Sequence, residues 1–176
     1  NQGDAVGLTL LLPNKTEEIP ARRNPSQLQD ILHTLAHAEA SGKDQVIKQL
    51  HEVAESIKSR ALVIIYSDFL DDPKSIADVI HHLRDRKHEV VLFHIMDRQE
   101  VDFIFDRPTR FIDLEGGSSL LTEPSIIRDE YLKQMRIHLN EIKKICTETQ
   151  SSHYETITDL PVDEALKKFS FERTQI

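Results

Sequence analysis

One stretch constrains the fold more than any other: Ala61-Leu62-Val63-Ile64-Ile65-Tyr66-Ser67-Asp68-Phe69-Leu70-Asp71-Asp72-Pro73. Ala61 to Tyr66 is an unbroken apolar and aromatic run, rich in β-branched side chains. Ser67 and Asp68 follow at once, and Asp72-Pro73 has the form of a helix N-cap with proline at the first helical position. A run without polar alternation expects apolar cover on both faces, which is the condition of a parallel strand. Its polar tip is then a loop, and Asp72 starts the returning helix. In open α/β sheets, ligands gather beyond the carboxyl ends of such strands.

The rest of the chain extends this pattern. Ala5 to Leu12 reads as a strand, Pro13-Asn14-Lys15 as a turn, and Thr16 to Pro20 as a short antiparallel edge whose proline and charges discourage further pairing. Ala21-Arg22-Arg23 is expected to be loop. Asn24 then caps a helix with Pro25 at its first position, an apolar face of Leu28, Ile31, Leu32 and Leu35, and Gly42 closing it after Ser41. Val46, Leu50, Val53, Ala54 and Ile57 mark one face of a second helix. Beyond Asp72, Ile76, Val79, Ile80 and Leu83 form a buried helical stripe that ends in the basic turn Arg84 to His88. Glu89 to Ile95 is a second apolar strand, interrupted only by His94 and ending at Asp97. Strand, helix and strand at this spacing imply a right-handed parallel crossover.

Residues 98–122 lose the helical period. Arg110 to Glu115, Gly116-Gly117 and Ser118 to Thr122 read as a β-hairpin. Pro124 opens the longest helix, with Ile127, Tyr131, Met135, Leu139, Ile142 and Cys146 as its stripe. His153 to Thr158 is a last strand, Asp159 and Pro161 begin a short helix through Phe169, and residues 171–176 are expected to be a loose tail. With no repeat, low-complexity tract or linker, residues 1–176 read as a single α/β domain.

Composition narrows the function. A formal net charge of −8 argues against a general phosphate-backbone binder. No segment approaches the ~20 apolar residues of a membrane span, and no signal-peptide pattern is present. The lone Cys146 cannot form an internal disulfide, which fits a reducing compartment, and a cytoplasmic location is the expectation. Because the chain starts at Asn1 and leads straight into a strand, it reads as a piece of a longer protein, one with room for a membrane anchor upstream.

Asp68 leads the candidate chemistry. A carboxylate at a strand's carboxyl end, beside the Ser67 hydroxyl, suits a hard cation such as magnesium. The plainer alternative is that it accepts hydrogen bonds from its own loop. Asp97 ends the neighbouring strand in the same way, and the two carboxylates either share a cation or cap their own loops. His33 and His37 have the i, i+4 spacing of a zinc pair, but no glutamate lies between them and no third ligand is evident. His81-His82 point to different parts of a helix surface, and Cys146 lies on an apolar stripe. No nucleophile elbow, phosphate-binding glycine loop or dinucleotide fingerprint is present, and Arg22-Arg23 reads as a solvated loop pair.

In order and spacing, several stretches resemble the von Willebrand factor A-like domain of bacterial MoxR-associated proteins, the family known as domain of unknown function 58. They are Gly3-Asp4-Ala5-Val6-Gly7-Leu8, Leu62 to Asp72, Arg86-Lys87-His88-Glu89-Val90 with Asp97, and Arg110-Phe111-Ile112-Asp113-Leu114-Glu115 with Gly117. Ile127-Arg128-Asp129-Glu130-Tyr131 and Thr158-Asp159-Leu160-Pro161 also fit. The resemblance implies a doubly wound, mostly parallel, Rossmann-like sheet with helices on both faces, a small β-hairpin insertion, and a metal-ion-dependent adhesion site at the carboxyl edge. Asp68 matches the aspartate at the end of that family's fourth strand, Ser26 stands nearest its loop threonine, and Ser67 and Asp97 line the site. Nothing in residues 1–176 matches the D-x-S-x-S motif, so the first central strand is expected to be absent and the domain truncated at its N-terminus. Magnesium is then expected in a longer protein and not in these residues alone.

The implied function is a non-catalytic protein-interaction module that works with a MoxR-type AAA+ ATPase in assembling or maturing other proteins. The alternative is a metal-assisted hydrolase using Asp68 and Asp97. The partners expected are a protein, with no nucleic acid and no membrane segment in this stretch, and a second copy of the chain through exposed strand edges.

Overall fold

The structure is a computed structural model that describes residues 4–13, 15–38, 45–105, 107–112 and 119–174. Its backbone contacts divide it into two compact units, the first ending at Ser56 and the second beginning at Ile57.

In the first unit, β1 (Val6–Leu12) and β2 (Lys15–Arg22) pair antiparallel, from Leu12 opposite Lys15 to Val6 opposite Arg22. The register slips between Val6 and Leu8. Gly7 sits there because a Cβ on it would lie 2.8 Å from both the Ala21 nitrogen and the Ile19 oxygen. Two helices, α1 (Gln27–Ala36) and α2 (Val46–Ser56), each hold one end of the hairpin through a buried glutamine. Gln27 Nε2 donates to the carbonyls of Val6 (3.0 Å) and Pro20 (2.8 Å), and Gln49 Nε2 to those of Leu12 (2.7 Å) and Lys15 (3.3 Å). Buried carbonyls left without partners are costly, so this glutamine contact fixes which face of α1 turns inward.

The sequence reading of α1 is therefore corrected: Ile31 is buried beside Gln27, but Leu28, Leu32 and Leu35 are exposed. Asn24 Oδ1 accepts from the Ser26 N–H at 3.1 Å in the turn before the helix, which begins only at Gln27. Ala21 and Arg22, expected in a loop, belong to β2. The expected stop at Gly42 lies outside the described residues.

The second unit is a mixed α/β arrangement. β3 (Leu62–Ser67), α3 (Pro73–Asp85), β4 (Glu89–Met96), α4 (Arg98–Asp102), β5 (Thr109–Ile112), β6 (Ser119–Thr122), α5 (Pro124–Glu148), β7 (Ser152–Ile157) and α6 (Val162–Thr174) follow in order. β3, β4 and β7 form a three-stranded parallel sheet in that order, with Ser67 opposite His94 and His94 opposite Glu155. β4, in the middle, supplies Val90, Val91, Leu92 and Phe93, each at most 2% exposed. On one face an aromatic row crosses all three strands: Tyr66 stacks on Phe93 (4.9 Å between centroids) and Phe93 on Tyr154 (5.2 Å). Phe169 of α6 meets Phe93 and Tyr154 edge-on.

Over residues 171–174 the expectation of a loose tail is corrected: α6 continues to Thr174, and the last two residues lie outside the described ones. Glu172 accepts from the Tyr154 hydroxyl at 2.5 Å, and Arg173 pairs with Glu89. α3 buries Ile76, Val79, Ile80 and Leu83 as expected, capped by Asp72, whose Oδ2 accepts from Ser75 N–H. In α5 the apolar stripe is fully buried only at Ile142 and Cys146.

Two further corrections concern β3 and α4. β3 is not a central strand covered on both faces: among the described residues it pairs only with β4, and Leu62 and Tyr66 are exposed. Residues 98–102, expected to lack helix, form α4 because Asp97 and Glu100 make a reciprocal capping box. The hairpin of β5 and β6 pairs as expected, Thr109 opposite Thr122, with its Gly116-Gly117 turn outside the described residues. Among the described residues no helix is long and apolar enough to cross a membrane.

Candidate functional site

The carboxyl end of β3 gives way to a loop whose conformation is set from below. Ser67 Oγ accepts from the Phe69 N–H at 3.1 Å, and Asp68 Oδ1 accepts from Leu70 N–H at 3.4 Å and from the Ser67 hydroxyl at 3.5 Å. Phe69 takes a left-handed backbone, φ 48°, while its ring is buried. For a bulky residue that conformation costs about 1 kcal/mol or more, so surrounding contacts must impose it.

Two histidines impose it. His138 of α5 lies with Nε2 2.7 Å from the Phe69 carbonyl, which can only accept, so this nitrogen carries the proton. His94 of β4 hydrogen-bonds the backbone of Asp68, and its ring meets Phe69 edge-on at 5.3 Å. His94 is 1% exposed, and its Nδ1 is 3.4 Å from His153 Nε2. Burial, then the neighbouring His153 and His138, push His94 down to about 4, against the opposing pull of Asp68. Burial also lowers His153, with Glu155 opposing and Lys143 and Lys168 reinforcing the shift. The Asp68 side chain thus projects from a loop braced by a buried aromatic ring and two imidazoles, and it is exposed with Tyr66 and Leu70 on either side.

Asp97, at the end of β4, has both carboxylate oxygens engaged. Oδ1 accepts from Gln99 N–H at 2.8 Å, and Oδ2 from the Thr158 hydroxyl at 3.3 Å. Its own N–H donates to Glu100 Oε2. Beside it, Arg98 donates through Nε and Nη2 to the two carboxylate oxygens of Asp159 (2.9 and 3.1 Å). These bonds hold the Asp159 carboxyl below its usual range. Asp97 therefore starts α4 and ties β4 to the segment after β7. Ser26 belongs to the first unit, where it is the N-cap of α1 without a side-chain cap bond.

Of the four residues picked from the sequence, the structure joins Ser67 to Asp68, engages Asp97 as a cap, and places Ser26 in the other unit. As a donor set for a hard cation this is incomplete. Ser67 and Asp68 offer one hydroxyl and one carboxylate where magnesium takes six oxygens. Among the described residues no group of three or more His, Cys, Asp or Glu side chains is arranged to hold a metal.

Other candidates resolve into structural roles. His33 and His37 stack at 4.3 Å on α1, with His37 Nδ1 on the His33 carbonyl. Cys146 is buried, and burial pushes its thiol up to about 12, far from a thiolate nucleophile. A shallow concavity along α6 is lined by Asp163, Leu166, Lys167, Lys168, Ser170 and Phe171, none of them a candidate. Sequence reasoning missed the histidine brace. Its one signal was His94, the single polar residue inside an otherwise apolar strand.

The family model described as "Protein of unknown function DUF58" matches residues 1–141. Among solved structures, the chain is similar to a protein from the universal stress protein family from Burkholderia pseudomallei, at 20% identity and a TM-score of 0.28. That match covers 68% of this chain and 77% of the other. No curated protein matches the chain.

Proposed function

Since the chain belongs to the DUF58 family of proteins of unknown function, we propose that it is a non-catalytic protein-interaction module. It has the character of a von Willebrand factor A-like domain, and its partner is a MoxR-type AAA+ ATPase that assembles or matures other proteins. The observation that carries this reading is the braced loop at the end of β3. Its exposed acid, Asp68, stands between two exposed apolar side chains, Tyr66 and Leu70. A carboxylate framed by apolar surface is a recognition patch: the apolar groups supply contact area and the acid selects a basic partner group. The hydrolase alternative has less support, because both carboxylate oxygens of Asp97 are committed, one to the α4 cap and one to the Thr158 hydroxyl.

The test is a calorimetric titration of this chain with a MoxR-type ATPase. Asp68→Ala is expected to weaken binding about tenfold, as for the loss of a central charged contact. Wild-type protein that fails to bind would sink the ATPase partnership. Phosphoester hydrolysis that disappears in Asp68→Ala would restore the enzyme reading.

A further inference from the structure

α1 ends in two histidines whose rings do different work. The helix stops at Ala36, and the His37 N–H turns to the Thr34 carbonyl at 3.2 Å. The His33 carbonyl thereby loses the bond that a continuing helix would bring it from that N–H. The His37 side chain supplies one instead, with Nδ1 2.8 Å from the His33 oxygen. A carbonyl oxygen can only accept, so Nδ1 carries the proton, and Nε2 of the neutral ring is left with its lone pair. That is the condition in which a histidine ligates a metal: one ring nitrogen donates to a backbone carbonyl, which fixes tautomer and orientation, and the other is open.

His33 brings a second ring to the same place. Its centroid lies 4.3 Å from that of His37, and the two planes differ by 26°. Apart from this stack, the His33 ring makes no hydrogen bond or ion pair among the described residues, so it can turn a nitrogen toward a shared ion without breaking one. Both residues are exposed, which leaves the outward side of such an ion to water. Asp30, exposed one turn earlier on the same stripe, adds negative charge without completing a group of three donors.

We propose that His33 and His37 form a two-point chelate for a late first-row divalent cation, copper(II) most tightly and zinc less, with water in the remaining positions. Imidazole nitrogen suits these ions, and at a given donor set copper(II) outranks zinc. Magnesium and calcium, which take oxygen ligands, are refused. The pair has fewer ligands than the zinc sites of enzymes or structural domains use, so the ion stays exchangeable. Residues four apart meet only while the helical turn between them is formed, and a bound ion therefore holds the last turn of α1 folded.

This inference does not rest on the ATPase reading. The histidine pair belongs to the first unit and Asp68 to the second, so variants of one leave the other intact.

The experiment titrates the whole chain with zinc, copper(II) and magnesium chlorides, read by calorimetry and, for zinc, by the nitrogen resonances of the imidazoles. Zinc should shift Nε2 of His37 while its Nδ1 stays protonated, shift a ring nitrogen of His33 in step, and slow amide exchange in the last turn of α1. Copper(II) should displace zinc, and magnesium should do none of this. His33→Gln and His37→Gln should each weaken zinc binding by at least about tenfold, since a lost ligand costs no less than a lost supporting bond. Both rings are exposed, so neither variant threatens the fold. His81→Gln, at an exposed position of α3, should bind zinc as the wild type does. Zinc binding that survives His33→Gln or His37→Gln undiminished would overturn the proposal. So would shifts at one of the two rings alone, shifts confined to other histidines, or no binding of zinc and copper(II) at all.

Discussion

β3 and β4 look alike in sequence and live in different surroundings. Each is an apolar, β-branched run ending in a polar tip, Ser67-Asp68 in one and Asp97 in the other. β4 has a strand on each side and is buried along nearly its whole length; among the described residues β3 has one neighbour, and of its six residues only Ile65 is fully buried. Their terminal acids differ in parallel. Asp97 is drawn into a capping box and a bond from Thr158, while Asp68 is left exposed on its loop. An apolar run reports that a strand can be covered. How many neighbours cover it depends on segments far away in the chain, and that number decides whether the strand is core or interface.

The largest test of this contrast is truncation of the aromatic row. Phe93→Ala at the centre should cost about 3–5 kcal/mol in urea denaturation, because a fully enclosed ring leaves a cavity. Tyr66→Ala in the same row should cost about 1 kcal/mol or less, since most of that ring already faces water. Equal losses would mean that β3 is as enclosed as β4.

Acid should probe the same pair of strands through His94. Its folded-state value, about 4, lies below the ordinary histidine value of about 6.5, so the unfolded chain takes up the proton first. The stability that its neutral form supports is complete above about pH 6.5 and is lost as pH falls toward about 4, reaching roughly 3 kcal/mol. His153, shifted the same way, adds to the loss. Urea midpoints measured between pH 7 and pH 4 should fall accordingly. His94→Gln, whose Nε2 can still donate to the Asp68 carbonyl, should flatten the dependence. An unchanged slope in that variant would remove His94 from the account.

A smaller effect is expected where the two strand ends meet α5. His138→Leu leaves the Phe69 carbonyl unpartnered and should cost about 1–2 kcal/mol, with faster exchange of the Phe69 and Leu70 amides. His138→Gln, able to donate from Nε2, should recover most of both. If leucine and glutamine behave alike, the brace is packing and not a hydrogen bond.

Much of this architecture was legible because it is local. The stripe of α3, the Asp72 cap and the apolar run of β4 are written in adjacent residues, and the structure places them as read. What was illegible depends on distant partners. The order of residues 171–174 comes from Phe169 meeting Phe93 and Tyr154, and the inward face of α1 from Gln27 reaching Val6 and Pro20. At the candidate site, the position of Asp68 at a strand end was readable. Its support was not, because His138 stands 69 residues from the carbonyl it holds. Asp97 shows the opposite limit: its capping partner Glu100 was visible three residues on, and the apolar run drew attention away from it.

The smallest expected effect is also the sharpest statement about the two acids. A resident magnesium ion stabilises a fold in proportion to the logarithm of its concentration over its dissociation constant. It needs several fixed oxygens, and Ser67 and Asp68 give one hydroxyl and one carboxylate, while both oxygens of Asp97 already accept hydrogen bonds. Chelator or millimolar magnesium should therefore leave the melting temperature of this chain unchanged, and Asp68→Ala should respond as the wild type does. A magnesium-dependent rise in melting temperature that vanishes in Asp68→Ala would show that Asp68 recruits oxygens from elsewhere. The exposed strand end would then be an ion site, and the contrast with the capped Asp97 would become one between a ligand and a cap.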